Sequence, residues 1–161
     1  MWEAAIITAS DTGARGERED VSGQIIAQLL ITAGYKIHSR TVLPDEQAKL
    51  SAKMKELADK NVALIVTTGG TGFSPRDYTP EATLAVVERQ CPGIPEAMRF
   101  FSLQLTRRAM LSRAVAGIRK QSLIVNLPGS PKAVEECLGF ILPTLEHGIK
   151  ILRREDSECA R

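Results

Sequence analysis

Three short apolar runs alternate with two helix-period segments in the first half of the chain, and this order constrains the fold more than any other feature. Residues 4–9 (AAIITA) are short, apolar and followed by a polar segment, which reads as a buried strand. Ile25, Ile26, Leu29, Leu30 and Ala33 recur at helical spacing, and Gly34 follows as a C-terminal stop. Residues 35–42 alternate apolar and polar, the pattern of a strand near a sheet edge. Pro44 and Asp45 mark a turn and a helix start, and Leu50, Met54, Leu57 and Ala58 supply that helix with an apolar face. NVALIVTTGG is then an uninterrupted apolar strand, expected at the centre of a sheet with both faces covered. The order β-α-β-α-β predicts a parallel sheet with crossover helices.

The second half repeats the theme. Thr79-Pro80-Glu81 is expected to open a helix, with Thr79 as its cap and Pro80 at the first helical position, running to about Arg89. CPGIP interrupts it, and residues 96–105 read as another short helix. SLIVNLPGSP is an apolar strand leading into a Gly/Pro loop, before a helix from Lys132 to about Arg153. The turn within SRAVAGIRKQSLIV is expected to add a hairpin. The expected architecture is three-layer α/β/α over residues 1–155, with a mostly parallel central sheet, a small added hairpin and a polar tail at 156–161.

Composition narrows the function. The 161 residues are 43% apolar and 25% charged, as in an ordinary globular domain. A net charge of +2 creates no broad basic field for nucleic acid, and 4% aromatic residues argue against base-stacking surfaces. Cys91, Cys137 and Cys159 are far apart and odd in number, so neither a zinc site nor a disulfide framework is expected, and Cys137 reads as a core residue. His38 and His147 are isolated and read as structural or surface residues. No apolar run approaches membrane-spanning length, and the start MWE lacks a basic segment ahead of an apolar one, so the expected location is the cytoplasm, without membrane or nucleic-acid partners.

TTGGTGFSPRD, residues 67–77, follows directly on the central strand, and NLPGSP follows on a later one. Ligands of parallel sheets sit beyond the carboxyl ends of the strands. Glycine admits positive φ and lets backbone N–H groups approach an anion closely. Neither a Walker A loop nor a GxGxxG fingerprint occurs, so the loop is either a phosphate cradle of another kind or a plain tight turn. Asp77 lies just past the glycines, and Asp45 lies at the end of a neighbouring strand, facing the same crevice. Two carboxylates beside phosphate call for a cation such as Mg²⁺; the alternative is that both are helix N-caps. Arg76, Arg113, Arg119 and Lys120 are candidate phosphate partners or simply solvated charges.

TTGGTGFSPRDYTPEAT resembles the signature of the MogA/MoaB molybdenum-cofactor family, which includes bacterial molybdopterin adenylyltransferases and the G domain of gephyrin. ASDTGARGEREDVSGQ resembles the family's first loop, LPDE its second-strand exit, and AMLSRAVAGIRKQSLIVNLPGSPKAVEEC its C-terminal half, so nearly the whole chain is covered in order. The resemblance implies Mg²⁺-dependent transfer of AMP from ATP to molybdopterin, with release of pyrophosphate. It implies a homotrimer, other cofactor-synthesis proteins as partners, and, as the alternative, a non-catalytic MoaB-type molybdopterin-binding or scaffold protein. By position, Asp45 and Asp77 match the metal-associated catalytic aspartates. Gly69, Gly70, Thr71, Gly72, Leu127, Pro128, Gly129 and Ser130 match nucleotide-holding segments. Ser112, with Ser102 nearby, Arg113, and the first-loop residues Asp20, Ser22 and Gly23 fall in the segments linked to the pterin. The apolar surface on residues 94–111 is either the interface between copies or core filling.

Overall fold

A computed structural model describes residues 1–155; the expected polar tail at 156–161, with Cys159, lies outside the described residues. Its centre is a six-stranded sheet in the order β2-β1-β3-β6-β5-β4. The strands are β1 (Glu3–Ala9), β2 (Lys36–Leu43), β3 (Leu64–Thr68), β4 (Arg89–Gln90), β5 (Ala116–Arg119) and β6 (Ser122–Leu127). β2, β1, β3 and β6 run parallel, while β5 is antiparallel to both β6 and β4. The expected hairpin is β5–β6, turning through Lys120 at φ 52°. The helices are α1 (Asp11–Ala14), α2 (Val21–Thr32), α3 (Gln47–Asp59), α4 (Thr79–Leu84), α5 (Gly93–Leu103) and α6 (Pro131–Leu152), with a 3₁₀ turn at Arg107–Leu111.

Both sheet faces are buried because the central strands alternate between two apolar surfaces. Ile6, Leu64, Val66, Leu123 and Val125 meet Ile26 and Leu30 of α2 and Val134, Leu138 and Ile141 of α6. Ile7, Ile65 and Ile124 meet Leu50, Met54 and Leu57 of α3 and Ala82 of α4. This is the three-layer α/β/α architecture, with the strand that alternates polar and apolar, β2, at one edge. Cys137 is buried, and His38 bonds Glu3 through Nδ1 at 3.0 Å.

Three local expectations change. The helix from Thr79 ends at Leu84 rather than near Arg89, because Arg89 and Gln90 pair with Ile118 and Gly117 of β5. That pairing spans far more sequence than a helical turn and overrides local periodicity. Thr79 is the first residue of α4 and makes no cap bond. The next helix begins at Gly93, three residues earlier than expected, with Pro95 accommodated in its first turn, where a missing N–H costs no intrahelical bond.

Candidate functional site

The carboxyl ends of β1, β3 and β6 converge, and glycines allow their exits to touch. Gly69 (φ 86°) and Gly70 (φ 66°) adopt left-handed backbone conformations. A Cβ on Gly129 would lie 3.4 Å from the Gly69 Cα, so the TTGGTG and LPGSP loops pack backbone to backbone. Hydroxyls join them: Thr68 Oγ1 donates to the Pro128 carbonyl (2.7 Å) and Ser22 Oγ to the Gly129 carbonyl (2.8 Å). Ser130 caps α6, its Oγ accepting from the Ala133 N–H at 3.3 Å.

Two clefts open beside this junction. One, about 420 Å³, is lined by Thr8, Arg18, Asp20, Ser22, Gly69 and Gly129, among others. The other, about 450 Å³, is lined by Thr71, Gly72, Ser102, Ser112, Pro128 and Cys137, among others. Ser130 borders both. Leu127 is fully buried, so its side chain belongs to the core. Asp20 caps α2: it accepts from the Gly23 N–H (2.9 Å) and the Thr8 hydroxyl (3.0 Å). Gly23 is small for that reason, since a Cβ there would fall 2.0 Å from Asp20 Oδ2.

Asp45 and Asp77 line neither cleft but stand against the glycine loop between them. A Cβ on Gly70 would meet Asp45 Oδ1 at 3.1 Å, and one on Gly72 would meet Asp77 Oδ2 at 3.0 Å. Neither aspartate is a helix N-cap: Glu46 holds that position for α3 and Tyr78 for α4. Asp45 Oδ2 accepts from the Asp11 N–H (3.0 Å), and Asp77 Oδ2 accepts from the N–H groups of Gly72 (2.9 Å) and Ser74 (3.1 Å). Burial pushes the Asp45 carboxyl above its ordinary range, and the negative charges of Asp11 and Asp77 push it further, while the Asp11 N–H and Arg76 oppose the rise.

The candidate phosphate partners at 76, 113, 119 and 120 are committed to the protein rather than left open. Arg76 grips Asp11 with two bonds (Nε to Oδ2 3.0 Å, Nη2 to Oδ1 2.8 Å), which holds the Asp11 carboxyl down at about 2. Arg113 donates to the carbonyls of Gly72 and Asp77, at 2.8 Å each, and to the Glu81 carboxylate. Arg119 donates to the Val86 carbonyl at 3.0 Å, and Lys120 pairs with Asp59 at 2.6 Å. Sequence reasoning gave Asp11 no role at the site and read Thr79 only as a helix cap. Asp11 could have been noticed as an aspartate directly following a strand; nothing local marks the unpartnered state of Thr79.

Glycine loops at the ends of parallel strands, flanked by two carboxylates and by clefts rich in hydroxyls, define an α/β domain suited to a phosphate-bearing ligand. Over residues 5–147 the chain matches the family described as a probable molybdopterin binding domain, and it belongs to that family. It is 38% identical over 151 residues to a molybdopterin adenylyltransferase of Helicobacter pylori, covering 91% of this chain and 85% of that protein. It is also 38% identical to the gephyrin of Dictyostelium discoideum, spanning 94% of this chain but only 22% of that longer protein. A solved structure of the molybdopterin biosynthesis enzyme MoaB of Thermus thermophilus superposes with a TM-score of 0.88 at 42% identity, covering 94% of this chain and 96% of that one.

Proposed function

We propose that this protein transfers AMP from ATP to molybdopterin with the aid of Mg²⁺, releasing pyrophosphate, in the synthesis of the molybdenum cofactor. The observation that carries this reading is the placement of Asp45 and Asp77 against Gly70 and Gly72, in a loop that touches Gly129 of the second glycine turn. The similarity to molybdopterin adenylyltransferases over most of the chain supports it.

The residues present fit a hard divalent cation. Among the described residues, no group of three or more His, Cys, Asp or Glu side chains is placed to hold a metal by itself. Mg²⁺ on phosphate needs only one or two carboxylates, the rest of its shell coming from phosphate and water oxygens. Asp45 and Asp77 supply two, close enough for Asp77 to raise the Asp45 pKa. The Thr79 hydroxyl, buried and without a hydrogen-bond partner, lies 2.4 Å from the same Cβ position on Gly70 that Asp45 Oδ1 approaches. Bound there, Mg²⁺ would neutralise phosphate charge.

The transfer joins two polyanions: a phosphate oxygen of molybdopterin bonds to the α-phosphorus of ATP as the bond to the departing pyrophosphate breaks. Such a reaction calls for alignment and charge compensation rather than a protein nucleophile. Gly69, Gly70 and Thr71, with Gly129 and Ser130, hold the nucleotide phosphates through backbone N–H groups and the hydroxyls of Thr71 and Ser130, while Gly72, whose N–H is taken by Asp77, and Pro128, which has none, shape the two turns around them. The Pro128 and Gly129 carbonyls are already turned inward onto Thr68 and Ser22, which favours that role. Ser102 and Ser112 face the larger cleft, where the pterin is placed, with Arg108 and Lys132 bordering it as cations for its phosphate. Asp20, Ser22 and Gly23 shape the opposite cleft.

Incubation with molybdopterin, ATP and Mg²⁺, followed by mass detection, tests the proposal: adenylylated pterin and pyrophosphate should accumulate together. Pterin binding without product would favour a non-catalytic MoaB-type role. Phe100, Leu103, Leu105, Met110, Leu111 and Phe140 are exposed apolar side chains, which supports burial between copies in a homotrimer. Sizing by light scattering checks it. No helix among the described residues is long and apolar enough to cross a membrane.

A further inference from the structure

Arg113 falls within the sequence segment associated with the pterin, yet its bonds point elsewhere. Its N–H donates to the Thr71 carbonyl at 2.8 Å. Its guanidinium spans the glycine loop, taking the Gly72 carbonyl on Nε and the Asp77 carbonyl on Nη2, while Nη1 meets Glu81 at the start of α4. The loop closes on itself between the same two residues, since the Asp77 carboxylate accepts the Gly72 and Ser74 N–H groups. Asp77 is therefore held twice, by its main chain through Arg113 and by its side chain through the loop. Glu81 compensates the guanidinium charge, which leaves little of it for a substrate phosphate.

We infer that Arg113 is a positioning residue that sets Asp77 for transfer, and that it acts on turnover rather than on pterin binding. This inference rests on the adenylyl-transfer reading. The planar fork of arginine satisfies three acceptors in fixed directions, whereas a lysine ammonium at the end of a flexible stem does not reproduce that geometry. A misplaced Asp77 loses alignment, and displacement of about 1 Å in a reacting assembly costs roughly 100-fold in rate. The neighbouring Ser112 lines the larger cleft, but Arg113 itself does not.

The test compares Arg113→Gln and Arg113→Lys with the wild type. The expected result is a kcat lower by roughly 100-fold with the molybdopterin KM within about threefold of wild type. Pterin binding without ATP, followed by fluorescence, should be unchanged. Mn²⁺ binding with a non-hydrolysable ATP analogue, followed by electron paramagnetic resonance, should weaken. Added guanidinium should partly restore kcat in Arg113→Ala. An Arg113→Gln protein that keeps kcat and loses pterin affinity makes Arg113 a pterin contact and overturns the inference. If the wild type yields no adenylylated pterin, the transfer reading fails on its own; Mn²⁺ binding then decides, and equal Mn²⁺ affinity in wild type and Arg113→Gln overturns the positioning role. Should Arg113→Gln fail to fold by thermal melt, Glu81→Gln weakens the same brace, and an unchanged kcat in that variant also overturns it.

Discussion

Asp11 and Asp45 exchange hydrogen bonds: the N–H of each donates to the carboxylate of the other, at 3.0 Å in both directions. This reciprocal pair fastens the start of α1 to the exit of β2, and Arg76 extends it to the glycine loop through its two bonds to Asp11. Asp11→Ala should lower the melting temperature and turnover together, and Asp11→Asn, which keeps an acceptor for the Asp45 N–H, should do less. The Asp11 carboxyl is depressed from 3.8 to about 2, chiefly by its bonds to Arg76 and the Asp45 N–H. A depressed carboxyl stabilises the fold fully above its unfolded value and loses that effect as pH falls toward the folded one. The stability difference between wild type and Asp11→Asn should thus be constant above about pH 4 and vanish toward pH 2, as measured by acid unfolding.

Asp45→Asn and Asp77→Asn should each keep the fold, because the amide oxygen can still accept the backbone N–H groups that hold these side chains. Turnover should fall by roughly 10²–10³-fold with loss of the charge. Asp77→Ala should lose turnover as well, with pterin binding kept, and should also loosen residues 72–77. Amide exchange at Gly72 and Ser74 distinguishes the two variants, since only alanine leaves those donors unpartnered. Full turnover in Asp77→Asn would remove its charge from the mechanism.

Gly69→Ala should be among the most disruptive single changes. Its Cβ would fall 2.4 Å from the Ala9 carbonyl oxygen, a backbone atom, at φ 86°. Strained φ by itself costs about 1–3 kcal/mol, and the collision adds to that. Gly16→Ala is the control: φ is also positive, at 74°, but nothing lies within 4 Å, so about 1 kcal/mol is expected. Urea unfolding of the two variants measures the difference.

Asn126→Leu should cost about 3 kcal/mol, because it strands buried partners on three sides. Asn126 Nδ2 donates to Thr67 Oγ1 (2.9 Å) and Thr83 Oγ1 (2.8 Å), and its Oδ1 accepts the Val115 N–H (3.2 Å). Asn126, Thr67 and Thr83 are all fully buried. The network ties β3, β6 and α4 together one turn from Thr79, so nucleotide affinity should fall along with stability. Calorimetry with and without nucleotide reads both effects.

Much of the scaffold was legible in the chain. The continuous apolar run at 62–66 announced a strand buried on two faces, and Leu64, Ile65 and Val66 are indeed all buried. The polar alternation of 35–42 announced the edge strand. The glycines at 69 and 70 announced a turn with positive φ. The end of α4 was not legible, because Val86 and Val87 continue its helical period, while Arg89 and Gln90 follow their β5 partners instead. For the aspartates at 45 and 77 the chain left a cation-binding pair and a pair of helix caps as alternatives, and only the folded loop shows that they cap neither helix and turn toward Gly70 and Gly72.

The sequence by itself determined the order of elements, the buried strands, the glycine turns at their ends and the family signature, because these depend on local periodicity, on φ restrictions and on contiguous motifs. Tertiary structure alone decided the employment of the charged and polar residues. Arg76 meets Asp11 across 65 positions, Arg113 meets Gly72 across 41, and Ser22 meets Gly129 across 107. Hydrogen bonds over such separations form only where the sheet brings strand ends together. A side chain that reads as a free phosphate partner in the sequence therefore becomes a brace once the fold supplies its acceptors.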